Sequence, residues 1–439
     1  MSRLVPFAVL LALLAACGPR PRPTPDAGEE DAGIEEPDAG RPRGDDPAAG
    51  WSNAVPILAD AGLLTRVGVS VASAGDQFGQ PLVAAVLDDP NSDGNRDDTR
   101  VFFTRWDGTA RAFEPTRVVE IVGAIDLAHP KRQVSVARDS STGRIGVAYV
   151  KAINNTVRLA TSDDEGTNFT LETVSDEPRA ALMTGPSLAF HEGTAHLAWI
   201  QGADVIYRKK APGGAWQDQS PAGVVVGAPV LSLAVDSAGN VGIAYFAFAA
   251  PASATLVFWR PGSSPVQIAT ADGLDVTVAE RLPSVSLTFV GTTPHVAFHL
   301  RKVEPLPTGD DTTELWYAKA NDTGATWAAP VAIPRNSDGT VSHSTRWYQA
   351  LSVEASGRVA VAANWEALGT PSNCNGPKLA RSADGMTFTT CSPANTPLQR
   401  AGQWVTLWQH RPGKLTLLFH YEPRANPNMP GGIVMWREP

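Results

Sequence analysis

Oxygen-bearing side chains crowd one short stretch of the chain. Asp89, Asn91, Asp93, Asn95 and Asp97 occupy alternate positions, and Gly94 interrupts them. Alternation lets carboxylate and amide oxygens turn inward, and glycine permits the tight bend. A hard cation such as calcium takes such ligands. Arg100 stands where a helix-flanked calcium loop would carry its bidentate glutamate, so that form is not expected. The expectation is a structural calcium on a surface loop, with a metal-free polar turn as the alternative.

The elements around this loop repeat. One β-prone segment recurs as Val101–Arg105, Val157–Thr161, Val205–Arg208, Leu256–Arg260, Leu315–Lys319, Lys378–Arg381 and Ile433–Arg437. Each is preceded by a Val- and Ala-rich segment, such as Ile145-Gly-Val-Ala-Tyr and His295-Val-Ala-Phe, and that by an alternating one, such as Gln133-Val-Ser-Val-Ala. Strand-only units at this spacing indicate an all-β fold, a β-propeller. A four-stranded sheet cannot cover both of its faces alone, and radial packing makes the core continuous. Seven blades are expected, with six or eight as alternatives. The last unit ends after its third strand, so residues 53–60 are expected to supply the fourth and close the ring.

The N-terminus reads differently. Arg3 precedes an apolar run, Leu4–Ala16, too short to span a bilayer and shaped like a signal peptide. Residues 17–50 are rich in proline and carboxylates and almost free of apolar side chains, which predicts an extended tether. Residues 51–439 are the expected propeller. The net charge is -9, with no basic cluster, so nucleic acid is not an expected partner. The chain has 3 cysteines. If Cys17 is modified, Cys374 and Cys391 remain as a pair for an oxidising compartment, and a disulfide is expected. Closing a loop of that length would contribute about 3 kcal/mol.

Leu14-Ala15-Ala16-Cys17 resembles the lipobox of bacterial lipoproteins. The resemblance implies cleavage before Cys17, its acylation, and a lipid-anchored place in the cell envelope. Gly18 points to the outer membrane. Three polar turns resemble the Asp box of sialidases and related propellers. One copy carries Ser162, Asp164, Gly166 and Phe169, a second Asp322, Gly324, Thr326 and Trp327, and a third Ser382, Asp384, Gly385, Thr387 and Phe388. Trp106-Asp107-Gly108 and Gly213-Gly214-Ala215-Trp216 look like decayed copies. The resemblance implies a structural role for these turns and a sialidase-like propeller.

Sialidases also need an arginine clamp for a carboxylate and a tyrosine nucleophile beside an acid. Arg281-Leu282-Pro283 faintly resembles one clamp element, and Arg132 and Arg346 hold similar positions before inner strands. Tyr348 lies beside Arg346 and Trp347. No Tyr–Glu pair is evident, so catalytic roles are not carried over. Arg132, Arg281, Arg346, Trp347 and Tyr348 are ligand-binding candidates only. No serine elbow, metalloprotease motif or phosphate loop occurs. Insertions at 86–100, 302–314 and 366–377 fall in one connection of their units and should project from one face. The favoured function is a non-catalytic envelope lipoprotein that binds a glycan or a protein. The alternatives are a sialidase-like glycoside hydrolase and a structural component of an envelope assembly.

Overall fold

The computed structural model describes residues 50–52, 70–75, 79–87, 99–123, 134–154, 156–175, 185–202, 204–220, 231–250, 253–272, 284–303, 311–334, 345–365, 376–391, 405–421 and 432–438. Cys17, the tether to residue 49, and the oxygen-rich run Asp89 to Asp97 lie outside them.

The strands form seven antiparallel sheets, here called blades, with strands A to D running outward. Blade 1 is Ser70–Gly75, Pro81–Leu87, Arg100–Asp107 and Arg117–Ile121, with a short ribbon at Ala112–Phe113. Blade 2 is Val134–Arg138, Ile145–Lys151, Thr156–Ser162 and Thr170–Thr173. Blade 3 is Ser187–His191, Thr194–Gln201, Asp204–Lys210 and Gln217–Asp218. Blade 4 is Leu231–Val235, Val241–Ala250, Ser253–Trp259 and Val266–Asp272. Blade 5 is Ser284–Val290, Thr293–Val303, Asp311–Lys319 and Val331–Ile333. Blade 6 is Thr345–Val353, Val359–Trp365, Gly376–Ser382 and Thr389–Cys391. Blade 7 is Val405–Arg411, Lys414–Tyr421, Gly432–Arg437 and, as its strand D, Gly50–Ser52.

Each strand A touches strand A of the next blade, and blade 7 returns to blade 1, so the sheets close into a ring. All-β architecture with seven blades is thus the fold. Closure comes from the N-terminal side, as the open last unit requires, but through Gly50–Ser52. Trp51 pairs with Trp436 and Ser52 with Met435. The expected donor, residues 53–60, begins one residue too late and lies outside the described residues. Glycine and serine have low strand propensity. Edge pairing rather than propensity selects the segment.

Packing explains the repeated composition. The middle of strand B carries a fully buried alanine in six blades: Ala84, Ala148, Ala198, Ala244, Ala297 and Ala362. Opposite these on strand C stand Phe103, Leu159, Tyr207, Phe258, Tyr317 and Leu379. A small residue beside a large one lets neighbouring twisted sheets interlock at interior density. Serines tie the inner strands together. Ser135, Ser187 and Ser232 accept hydrogen bonds from the Leu188, Leu233 and Leu287 amides of the following blades.

The expected Cys374–Cys391 disulfide is not supported. No disulfide occurs among the described residues, Cys391 ends strand D of blade 6, and Cys374 lies outside. Pairing of Cys391 with Leu379 already ties that strand to its sheet through the backbone.

Candidate functional site

Antiparallel order puts the A–B and C–D turns at one face of the ring and the B–C and D–A connections at the other. The aspartate turns are C–D turns. In blade 2, Asp164 Oδ1 accepts from the Ser162 hydroxyl at 2.7 Å and the Asn168 amide at 2.9 Å. In blade 5, Asp322 Oδ1 accepts from the amides of Gly324 and Ala325, each at 2.8 Å. In blade 6, Asp384 takes the amides of Met386 and Thr387. These bonds hold all three carboxyls below the usual carboxylate range, with the backbone donors foremost. The turns are structural, since each orphan amide finds an acceptor within its own hairpin.

Each turn also plugs a gap between blades. Phe169 packs edge-on against Phe103 of blade 1 at 5.3 Å. Trp327 packs on Phe258 of blade 4 at 5.4 Å, and Phe388 on Tyr317 of blade 5 at 5.5 Å. The turn glycines lie flat on the same rings, and a Cβ on Gly324 would come within 2.2 Å of Phe258 Cε1.

Blade 4 lacks the aspartate turn, and its gap is met instead by Trp259 of strand C, which packs edge-on against Tyr207 at 6.1 Å. Its C–D turn is Arg260-Pro261-Gly262-Ser263, and a Cβ on Gly262 would meet no heavy atom within 4 Å. A cleft of about 340 Å³ opens between blades 3 and 4 at this point, near the lower end of ligand-site volumes. Blade 3 supplies His196, Tyr207, Lys209 and Gln219. Blade 4 supplies its Asp236–Val241 turn, Arg260 and Pro261, and blade 5 adds Thr323.

The cleft's ionisable groups are unequally free. His196 Nδ1 lies 2.8 Å from the Tyr207 hydroxyl. Burial, helped by the charge of Lys209, lowers the imidazole to about 4, so it is neutral at pH 7. Burial also raises the Tyr207 phenol, which stays protonated. Asp236 accepts from the Ala238 amide at 2.9 Å, the Asn240 amide at 2.8 Å and Arg260 Nη1 at 3.0 Å. Burial pushes this carboxyl up, but the bonds from Asn240, Arg260 and Ala238 outweigh it and hold it below its ordinary value. Arg260 further donates to the carbonyls of Thr323 and Thr292. Lys209 and Gln219 stay available, since no side-chain hydrogen bond or ion pair engages either among the described residues.

The sequence-derived candidates lie elsewhere. Arg132 and Arg281 fall outside the described residues. Arg346, Trp347 and Tyr348 lie on strand A of blade 6, where the register slips between Arg346 and Gln349. That bulge sits at the end of the strand opposite the aspartate turns. Bulges re-aim side chains, and this one escaped the sequence reading.

Two further arrangements were also missed. The Tyr149 hydroxyl donates to Glu120 at 2.6 Å, although the sequence shows no Tyr–Glu pair. Tyr149 is fully buried, and burial and then Glu120 raise its phenol, the reverse of an activated nucleophile. Ser284 Oγ lies 2.7 Å from His299 Nδ1 and 2.5 Å from Gln349 Oε1. All three are buried, and Gln349 Nε2 also donates to the Ser284 and Ala297 carbonyls. The cluster pins blade 5 to blade 6. Among the described residues no group of three or more His, Cys, Asp or Glu side chains is placed to hold a metal ion.

No family model matches the chain, and no curated protein matches it. Solved structures with a similar architecture include the fucose-specific lectin from Aleuria aurantia, at 12% identity, covering 76% of this chain and 99% of the lectin with a TM-score of 0.42. AofleA from Arthrobotrys oligospora matches at 12% identity over 76% of this chain and 88% of its own, with a TM-score of 0.43. A Dyadobacter fermentans protein of unknown function matches at 12% identity over 86% of this chain and 94% of its own, with a TM-score of 0.41. Likeness at this level carries no argument about ligand. The Aleuria aurantia protein is a lectin and not a sialidase, and the sialidase-like, Asp-box family assignment is corrected on that finding. The physical reason is local. An aspartate that gathers turn amides stabilises any tight hairpin, so the motif marks no family.

Proposed function

We propose that the chain is an exported, non-catalytic binding protein, lipid-anchored through Cys17 in the cell envelope, that holds a glycan through its propeller. The cleft between blades 3 and 4 carries this reading. Its histidine is neutral, its tyrosine is protonated and its aspartate is bonded to capacity. It therefore offers fixed hydrogen-bonding groups and one ammonium, but no acid–base pair poised near neutral pH. An envelope protein is the second class of ligand, favoured by the strand A bulge at Arg346, Trp347 and Tyr348 on the opposite face, with Arg132 and Arg281 as further candidates from the sequence. Leu14-Ala15-Ala16-Cys17 supports the anchor, Gly18 the outer-membrane placement, and Asp89 to Asp97 a structural calcium.

A diverse glycan and cell-wall panel, read by mass spectrometry for retention and cleavage, tests the reading. Retention without cleavage is expected. Cleavage products would overturn the non-catalytic assignment, and a complete lack of retention would overturn glycan binding in favour of a protein partner.

A further inference from the structure

The set of residues at the cleft occurs twice in the chain. In blade 3, His196 pairs across the ladder with Lys209, and Ala198 with Tyr207. In blade 5, His295 pairs with Lys319, and Ala297 with Tyr317. The hydrogen bond repeats as well, His295 Nδ1 lying 2.6 Å from the Tyr317 hydroxyl. Side chains two apart on a strand share a face, so histidine, tyrosine and lysine look toward the following blade in both cases.

The following blade then treats the two sets differently. Blade 6 sets its aspartate turn on Tyr317. A Cβ on Gly385 would lie 2.8 Å from Tyr317 Cε1, and Phe388 completes the plug. Blade 4 turns Arg260 toward Asp236 and the blade 5 carbonyls and sets Trp259 edge-on against Tyr207 at 6.1 Å, and the cleft opens beside that contact, lined by His196 and Lys209. The neighbouring basic residues of blade 3 are occupied on its other face. Arg208 donates to the Val174 carbonyl, and Lys210 pairs with Glu172 at 2.6 Å. Lys209 alone of these three points into the cleft.

The charges in the cleft do not cancel. Arg260 and Asp236 neutralise each other, His196 is uncharged, and Lys209 leaves one unmatched positive charge in a half-enclosed recess. Gln219 lines the same recess with an amide group, and Asn240, whose Nδ2 donates to Asp236 at 3.2 Å, leaves its amide oxygen as an acceptor. A neutral ligand would leave the ammonium without a counter-charge. A carboxylate would form a charge-assisted hydrogen bond, roughly twice as strong as a neutral one. The recess holds about 340 Å³ and sets the apolar surfaces of Tyr207, Val241 and Pro261 beside its polar groups, one small mixed pocket rather than the row of pockets that anchors alternate side chains of an extended peptide. It fits one polar ring with an acidic substituent.

We infer that the cleft between blades 3 and 4 is a subsite for an acidic sugar residue, its carboxylate on Lys209 and its hydroxyls on Gln219 and Asn240. The inference rests on the glycan-binding reading and specifies the ligand class.

The test uses the full-length chain in detergent with matched glucuronate- and glucose-terminated oligosaccharides and an aspartate-rich peptide, each followed by calorimetry. The glucuronate ligand should bind about tenfold or more tighter than its glucose counterpart, in a salt-sensitive way. Lys209→Gln should remove that advantage, and Lys319→Gln, at the plugged copy in blade 5, should leave it intact. Unchanged thermal midpoints would show that both variants fold. Equal affinity for the two sugars, or an advantage that survives Lys209→Gln, would overturn the subsite while leaving glycan binding in place. Preference for the acidic peptide, lost in Lys209→Gln, would overturn the saccharide class. Binding of no sugar at all, here and on the wider panel, would remove both readings.

Discussion

Acid should destabilise this propeller well above the pH at which its carboxylates begin to take up protons. Three buried imidazoles are the cause. Burial lowers His196 and His295 to about 4 and His410 to about 3, with nearby lysine and arginine charges adding to the effect. Each is bonded through Nδ1, to Tyr207, Tyr317 and Thr416 respectively. In the unfolded chain each would take a proton near its ordinary 6.5, while the folded chain refuses it until far lower pH. Their contribution is therefore complete above pH 6.5 and is lost progressively as pH falls toward 4. At pH 5 each group costs about 2 kcal/mol relative to neutral pH, at about 1.4 kcal/mol per unit, and together about 6 kcal/mol. That is a large share of a typical stability of about 5–15 kcal/mol. Asp139, Asp236 and Glu120 are also held below their ordinary values, but they add their loss only below about pH 4, so the two windows separate. Urea midpoints measured from pH 7.5 to 5 should fall, while imidazole proton shifts read by NMR in the folded protein stay flat for these three rings. A native His196, His295 or His410 ring that titrates near 6.5 would refute the reasoning, whatever the urea midpoints did.

The turns invite a paired comparison. Gly324→Ala must resolve a 2.2 Å approach to Phe258 at a φ of 114°, and should cost about 2–4 kcal/mol. Gly262→Ala, with φ of 82° and open space around it, should cost only the left-handed strain of about 1 kcal/mol. Equal shifts in thermal midpoint would contradict the claim that the blade 4 turn, unlike that of blade 5, does not press on its neighbouring blade. Asp236→Ala should cost about 3–5 kcal/mol, because Arg260 and the amides of Ala238 and Asn240 lose a buried acceptor together. A midpoint within a degree of the parent chain would show that Arg260 finds another partner.

Much of the architecture is legible in the residues because its interactions are local. A Val- and Ala-rich strand, a tight turn and a strand ending in a basic side chain pair with neighbours a few residues away, so Ile145–Lys151 and Thr156–Ser162 announce their hairpin. The turns at Asp164, Asp322 and Asp384 are readable for the same reason, since donor and acceptor lie within four residues. Repetition then implies a ring, and a last unit short of one strand implies closure from the N-terminus. Which residues would close it was misjudged, because strand propensity favours residues 53–60 while edge pairing chooses Gly50–Ser52.

The site belongs to contacts between blades, and these join residues that the sequence keeps far apart. Tyr149 meets Glu120, Ser284 meets Gln349, and Lys209 faces a turn at Arg260 that would have had to be compared with three other turns to be seen as incomplete. The sequence by itself determined the strands, the turns and their repetition, since each depends on hydrogen bonds and side-chain alternation within one unit, while the count of seven rests on the closed ring. Tertiary structure alone decided which gap between units is sealed by an aspartate turn and which keeps a cleft beside its aromatic contact, because that outcome depends on how two separately specified sheets pack.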